Sequence, residues 1–382
     1  MVLRLFQVSY ILCIIFMPLS RAHPPDQYAI GVPVIDAFSH FMPLPVLQRC
    51  RELAPANAAL RMFEALPELW DVDARLRSLE PFPRLQQVLS FANPPVETFG
   101  SAATAAELAR LANTELASIC AAHPDRFPAF TAVLPMSDVS LAMRELNYAH
   151  RELGARGIQI YTSVLGSPLS RAEFRPVFAA MAELNLPVLV HPYRTAAVAD
   201  YAGEGASEAE VWFSFGWPYE TSAFAARMVY SGIFDELPDL KLLLHHYGGM
   251  IPSFSGRLEL GFRQIFGGPG GINPVAEEAG ITQPVIAHFQ RFYADTALNG
   301  SLSGVRNGFD FFGPSRSLFG TDSPFSPDGG PAFVASTLAE IDALGLSARD
   351  RYQVVEGNAR SLFGLPAPDG ADEQAMAGMD AS

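Results

Sequence analysis

From Val34 onward the chain alternates two hydrophobic patterns. Short β-type runs, several of them apolar at nearly every position, fall at 34–40, 88–92, 127–134, 157–162, 187–191, 240–246, 291–296 and 317–321. Parallel strands buried on both faces need such runs. Between them lie longer segments, among them 105–122, 141–153, 173–184, 221–234 and 331–344, whose apolar positions recur near the 3.6-residue period of a helix. Strand then helix, repeated to a total of eight strands, predicts an α/β fold, a (β/α)8 TIM barrel over residues 34–365, rather than an open sheet. Two segments exceed ordinary connections: a long insertion, 42–86, after the first strand, and 194–220 after the fifth. Both leave the carboxyl ends of strands, the face on which barrel enzymes build their active sites.

The ends of the chain read differently. Arg4, an apolar run at 6–18 and Ser20-Arg21-Ala22 have the layout of a secretory signal cleaved after Ala22, as in a secreted or periplasmic protein. The run is too short for a stable membrane span. A start codon placed too early is the alternative, and it leaves a cytoplasmic protein. Residues 23–33 form a Pro-rich lead-in, and residues 366–382 are small, acidic and aperiodic, a composition expected to be disordered.

With 49% hydrophobic and 17% charged residues in 382, the chain can bury a large core. Its net charge of −14, from 26 basic and 40 acidic side chains, repels nucleic acid and anionic lipid. A local arginine in a cleft still leaves room for an anionic small molecule. None of the three cysteines makes a CxxC pair, which excludes a thiolate zinc site, and Cys50 and Cys120 read as free thiols rather than a disulfide. The Gly-rich loop at 267–271 lacks the lysine and the strand–loop–helix context of a phosphate cradle. No G-x-S-x-G elbow is present, which argues against a serine hydrolase.

The candidate chemistry sits where strands end. The first ends in Ser39-His40, the fifth in Val190-His191-Pro192, the sixth in His245-His246, and the eighth in Gly320-Thr321-Asp322. One histidine after an apolar run is more often a hydrogen-bonded core residue than a ligand. In a barrel, however, these ends converge on one mouth. Two imidazoles and a carboxylate suit a divalent cation there, and a third imidazole suits proton transfer. Adjacent strand residues point to opposite faces, so only one of His245 and His246 is expected to face the mouth.

The segments VIDAFSHFMP, LPVLVHPY, LKLLLHHYGGMIPSFSGRLE, SLFGTDSPF and EGNARSLFGL, in this order, resemble the amidohydrolase superfamily over about 34–365. The resemblance is to the branch of aminocarboxymuconate-semialdehyde decarboxylase and the related aromatic-acid decarboxylases. It implies metal ligation by His40, His191 and Asp322, and it selects His246, six residues before Pro252, as the acid/base. Arg257 matches an arginine that binds the substrate carboxylate across a homodimer interface, and Arg75 resembles a second substrate-binding arginine. Phe38 occupies the place of a further metal-binding histidine. It cannot ligate and is left to line the substrate. Three protein ligands still suffice for a catalytic zinc with an open position, though loss of the fourth would weaken the metal. Zinc is the default for this donor set and manganese the alternative.

Asp36 shares the face of Phe38 and His40 only under strict alternation, so its role stays open. The segment from Trp212 to Tyr219, with Trp217 at its centre, reads equally as an aromatic wall over a planar substrate or as a packing patch. The implied activity is metal-dependent non-oxidative decarboxylation of an aromatic or unsaturated carboxylic acid, a carboxy-lyase reaction. A hydrolase of a lactone, amide or ester, and a catalytically reduced binding barrel, are the alternatives.

Overall fold

The computed structural model describes residues 33–261, 274, 278–281 and 283–367. The signal-like segment 1–22, most of the lead-in, the Gly-rich loop 267–271 and all but the first two residues of the tail lie outside these. Among the described residues, no helix is long and apolar enough to cross a membrane.

Apart from a short antiparallel hairpin, Ser163–Val164 with Ser167–Pro168, the strands are β1 (Val34–Phe41), β2 (Leu85–Phe91), β3 (Ala129–Phe130), β4 (Ala132–Val133), β5 (Ile158–Tyr161), β6 (Pro187–His191), β7 (Lys241–Leu244), β8 (Tyr293–Asp295) and β9 (Ser317–Leu318). All their pairings are parallel, in the order β1-β2-β3 and β4-β5-β6-β7-β8-β9. Two sets of backbone hydrogen bonds make these ladders one ring. β3 and β4 are consecutive pieces of a single crossing, with Thr131 N–H donating to Leu89 O at 2.9 Å between them. At the other seam, Ala37 N–H donates to Phe319 O at 2.8 Å and His40 N–H to Ser323 O at 2.7 Å. The eight-position (β/α)8 barrel read from the sequence is therefore the fold.

Helices flank the ring: α1 (Leu44–Leu53), α2 (Ala58–Glu64) and α3 (Val72–Ser78) in the first insertion, then α4 (Ala102–Ala122), α5 (Val139–Arg151), α6 (Arg175–Glu183), α7 (Gly216–Tyr230), α8 (Ser255–Leu260), α9 (Leu302–Phe312), α10 (Pro331–Ala343) and α11 (Asn358–Phe363). α4 shows why such segments form where they do. Ser101 Oγ accepts from Thr104 N–H at the start, and Ala105, Leu108, Ala109, Ala112 and Leu116 make one buried stripe.

Alternation along the strands sorts the core into two parts. Val188 and Val190 of β6 and Leu242 and Leu244 of β7 pack outward, under the helices. Leu189 and Leu243 point into the lumen with Ile35, Ala37, Val88 and Leu318. The two-residue period therefore carries His191 inward above Leu189, and the next residue after β7, His245, inward above Leu243.

Candidate metal centre and active site

β1 is the strand that breaks alternation. Its register against β2 shifts between Asp36 and Ser39, a bulge that re-aims the residues beyond it. Asp36, fully buried, accepts from Thr321 Oγ1 at 2.5 Å, Thr321 N–H at 3.0 Å and Gln87 Nε2 at 3.0 Å. It ties β1 to β2 and to the turn carrying Asp322, and burial raises its acid to about 6.

His40 follows. Its Nδ1 lies 3.3 Å from Phe91 O and 3.3 Å from Ser90 Oγ. A carbonyl only accepts, so Nδ1 bears the proton and Nε2 is left bare, buried and without a hydrogen-bond partner. His191 is held the same way, its Nδ1 donating to Pro192 O at 2.7 Å.

His245 and His246 do not divide between two faces, as strict alternation predicted. β7 ends at Leu244, two residues earlier than the apolar run suggests, so only His245 keeps the strand's inward direction. The chain then turns through left-handed backbone at His246 (φ 55°) and Tyr247 (φ 49°). That turn swings the second ring back, and the two imidazole centroids stand 3.8 Å apart. Asp322, itself at φ 61°, receives both: His245 Nε2 lies 3.4 Å from Oδ1 and His246 Nε2 3.5 Å from Oδ2. His40 Nε2 is 3.1 Å from Oδ1. Left-handed non-glycine residues cost of order 1–3 kcal/mol each and gather at functional sites.

His40, His191 and His245 are buried, Asp322 is partly so, and each offers one ligand atom within 4.8 Å of the others. Donors around a zinc-like ion, at bonds of roughly 2.0–2.2 Å, stand about 3–4 Å apart. The widest pair therefore has to close by roughly 1–2 Å around one cation. The partnerless Nε2 atoms of His40 and His245 supply the unsatisfied buried polarity that such a cation would relieve. The donor set thus fits a divalent metal.

At His191 and Asp322 the electrostatics agree with ligation. Burial, then the neighbouring imidazoles, hold His191 well below the usual histidine range, so it is neutral. Burial alone would raise the Asp322 acid, but the imidazoles of His245, His246 and His40 outweigh it and keep the carboxylate ionised. Burial pulls His245 down, but Asp295 and Asp322 lift it to about 9, so without a cation it is charged, and ligation would displace its Nε2 proton. Burial and the charge of His245 lower His246.

The remaining candidates fall in different places. Phe38 is fully buried in the cluster, its ring stacked on His245 at 4.0 Å and 20°. Trp217 packs edge-on against His191 at 5.3 Å and Phe213 at 4.8 Å, and its Nε1–H donates to Arg194 O at 3.0 Å. The aromatic segment is split: Trp212, Phe213 and Trp217 pack ring against ring beside His191, with Phe213 half exposed, and Phe215 and Tyr219 are exposed outside that cluster. Arg257 is exposed on α8.

Arg75 is a correction. It has no exposure, and its guanidinium donates to Glu68 O at 2.8 Å, Gln87 Oε1 at 2.9 Å and His40 O at 2.5 Å. It grips the backbone behind a candidate ligand and presents no surface to a substrate. Sequence reasoning also missed Asp295, whose Oδ2 lies 2.5 Å from His245 Nδ1. The signal for it was present, because Asp295 closes the seventh apolar run as Asp322 follows the eighth. Cys50 and Cys120 are free thiols, as expected.

Fold and site together define a parallel barrel with a His/Asp metal site at its carboxyl mouth. The Amidohydrolase family matches residues 35–365, and the chain belongs to it. Among its relatives, gamma-resorcylate decarboxylase of a Polaromonas species is 30% identical over 303 residues, covering 77% of this chain and 87% of that one. The 2-amino-3-carboxymuconate-6-semialdehyde decarboxylase of Dictyostelium discoideum is 27% identical over 300 residues, covering 78% and 77%. A crystal structure of a dihydroxybenzoic acid decarboxylase from Polaromonas, with bound manganese and the inhibitor 2-nitroresorcinol, superimposes with a TM-score of 0.70 at 25% identity, covering 89% and 99%.

Proposed function

We propose that this protein is a metal-dependent, non-oxidative decarboxylase of an aromatic or unsaturated carboxylic acid. The observation that carries the reading is the grouping of one solvent-reaching histidine with a buried donor set. His246 keeps 16% of its side chain exposed, whereas His40 and His245 keep 1% and 0%. A proton carrier must exchange with water between turnovers, and His246 has that access.

His40, His191 and Asp322 would hold the cation, which when bound supplies positive charge to orient an acidic oxygen group of the substrate. Zinc is the default for this donor set, and the manganese bound in the Polaromonas relative makes manganese the second candidate. Trp217, with Phe213 and Trp212 behind it, offers an aromatic face beside His191 for a planar ring. Phe38 closes the opposite side of the His245 ring and keeps water from the floor of the site. His246 delivers its proton to the carbon that bears the carboxylate, making that carbon tetrahedral. The C–C bond then breaks, its electron pair returns to the ring, and CO2 leaves. His246 regains a proton from solvent.

Arg257, exposed between the exposed Phe254 and Leu260, would bind the carboxylate in the mouth of a second copy, making the working unit a homodimer. Removal of residues 1–22 on export is a separate proposal, read directly by the N-terminal residue of protein recovered from its native host.

The test is CO2 release from a panel of hydroxybenzoates and unsaturated acids, with His246→Ala beside wild type. The reading expects release by wild type and a fall of roughly 100- to 10,000-fold in the variant, the range that one general acid contributes. Water addition without CO2 would replace this reading with hydrolysis. Equal turnover by both proteins would remove His246 from the mechanism.

A further inference from the structure

The reaction outlined above leaves one imidazole without a role. His245 is fully buried, and its Nδ1 is fixed by Asp295 Oδ2 at 2.5 Å. Asp295 is itself fully buried and aimed by two backbone donors, Ala297 N–H at 3.0 Å and His246 N–H at 3.2 Å. A carboxylate on Nδ1 fixes a ring's tautomer and turns a basic Nε2 to the far side, the arrangement that recurs behind metal-bound histidines. Here that far-side Nε2 points into the donor cluster, 3.4 Å from Asp322 Oδ1, with no hydrogen-bond partner of its own. Phe38 covers the ring's face at 4.0 Å, so the imidazole is clamped in plane as well as at one nitrogen.

β1 contributes one donor to the cluster, His40, because the residue two before it on that wall is a phenylalanine. The fourth donor comes from the opposite side of the lumen, one residue beyond β7. We propose that His245 is an inner-sphere ligand of the divalent cation, completing a His40–His191–His245–Asp322 set with Asp295 as its orienting carboxylate. The ligand that position 38 does not supply is thereby provided across the barrel, and Phe38 serves as the plate that holds its replacement. The adjacent histidines divide the work: His245 binds the metal and His246 moves the proton. This inference rests on the metal reading above and deepens it.

The experiment is metal binding by the full chain, independent of turnover. Metal-stripped wild type, His245→Gln, Asp295→Asn and Phe38→His are titrated calorimetrically with zinc and with manganese. X-ray absorption at the zinc edge of the loaded proteins then counts histidine ligands. The proposal expects one equivalent and three histidines in wild type. It expects at least tenfold weaker binding in His245→Gln, and a loss of roughly 10- to 100-fold in Asp295→Asn, as for other partners of this kind. Phe38→His should change wild-type affinity little but restore binding to His245→Gln when the two are combined. Two histidines in loaded wild type, with unchanged affinity in His245→Gln, would overturn the proposal and leave the metal reading intact. Absence of binding by wild type would overturn both. The wild-type ligand count keeps the proposal open to refutation even if a variant fails to fold.

Discussion

Arg75 shows how far a buried charge can be from a substrate site and still matter to it. Burial lowers its basicity to about 10, which leaves it charged at neutral pH, and its partners are two carbonyls and the side chain of Gln87. Gln87 passes the interaction on to Asp36, and Asp36 to Thr321 beside Asp322. The chain of contacts runs from α3 in the insertion to the seam where the barrel closes. Arg75→Met should therefore destabilise the fold by about 3 kcal/mol, the cost of orphaning partners of a buried charge, read as a lower urea midpoint. A change in KM alone, with stability intact, would instead return Arg75 to substrate binding.

Glu97 gives the pH prediction at the same scale. It is buried, its Oε1 accepts from Met136 N–H at 2.6 Å, and burial raises its acid to about 7. In the unfolded chain it titrates near the ordinary value of 4.5. Between these values the folded state holds a proton that the unfolded state has lost, so stability falls as pH rises through that window. The full shift corresponds to a loss on the order of 3 kcal/mol. Glu97→Gln should flatten the profile of stability against pH between 4.5 and 7, and an unchanged slope would mean Glu97 ionises freely in the fold.

What was legible at this scale follows from how a barrel displays its strand ends. His40, His191 and Asp322 could be placed because each ends or directly follows an apolar run, and such ends meet at one mouth. His245 and His246 could not be sorted, because the outcome depends on a strand stopping at Leu244 and on two left-handed residues that leave no mark in hydrophobic periodicity. Arg75 misled because an arginine in a polar-looking insertion gives no sign of being buried.

At the scale of elements, the turn after β7 carries both histidines, and α9 holds it. The strand–helix alternation foretold most of the ring, but α9 was not among the expected helices. Its stretch, LSGVRNGFDFF, carries two glycines, which are poor helix formers. One of those glycines is needed for packing. A Cβ at Gly308 would lie 2.3–2.8 Å from the ring of Tyr247, which is buried. Gly308→Ala should thus push Tyr247 out, costing about 1–3 kcal/mol by overpacking, and drag His246 with it. Loss of kcat with a lowered Tm is the expected pair of readings. Full activity in the variant would show that the turn does not depend on this contact.

The same scale explains the boundaries. Strands read from sequence at 127–134 and 317–321 are paired only over Ala129–Phe130 with Ala132–Val133 and over Ser317–Leu318. Apolar character continues past the paired residues because the lumen and the helix layer bury the chain on both sides there.

At the scale of the whole molecule, the proposal brings a second copy of the chain to the mouth to meet the substrate's carboxylate. Arg257, exposed on α8, would meet it from that second copy. Sedimentation should then give the mass of a dimer. Arg257→Ala and His246→Ala, each nearly inactive alone, should regain activity when mixed, since one mouth in the mixed dimer receives both intact residues. No recovery from a proven mixed dimer would place the carboxylate-binding group within the chain.

The central claim is that this donor set and His246 together release CO2 from a carboxylic acid with the help of a bound cation. The most direct measurement is CO2 release by wild type after metal removal and again after reloading with manganese or zinc, on 2,6-dihydroxybenzoate and related hydroxybenzoates. The account predicts no release by the stripped protein and recovery on adding about one equivalent of metal. Equal release with and without metal, or metal-dependent turnover that adds water and frees no CO2, would contradict it.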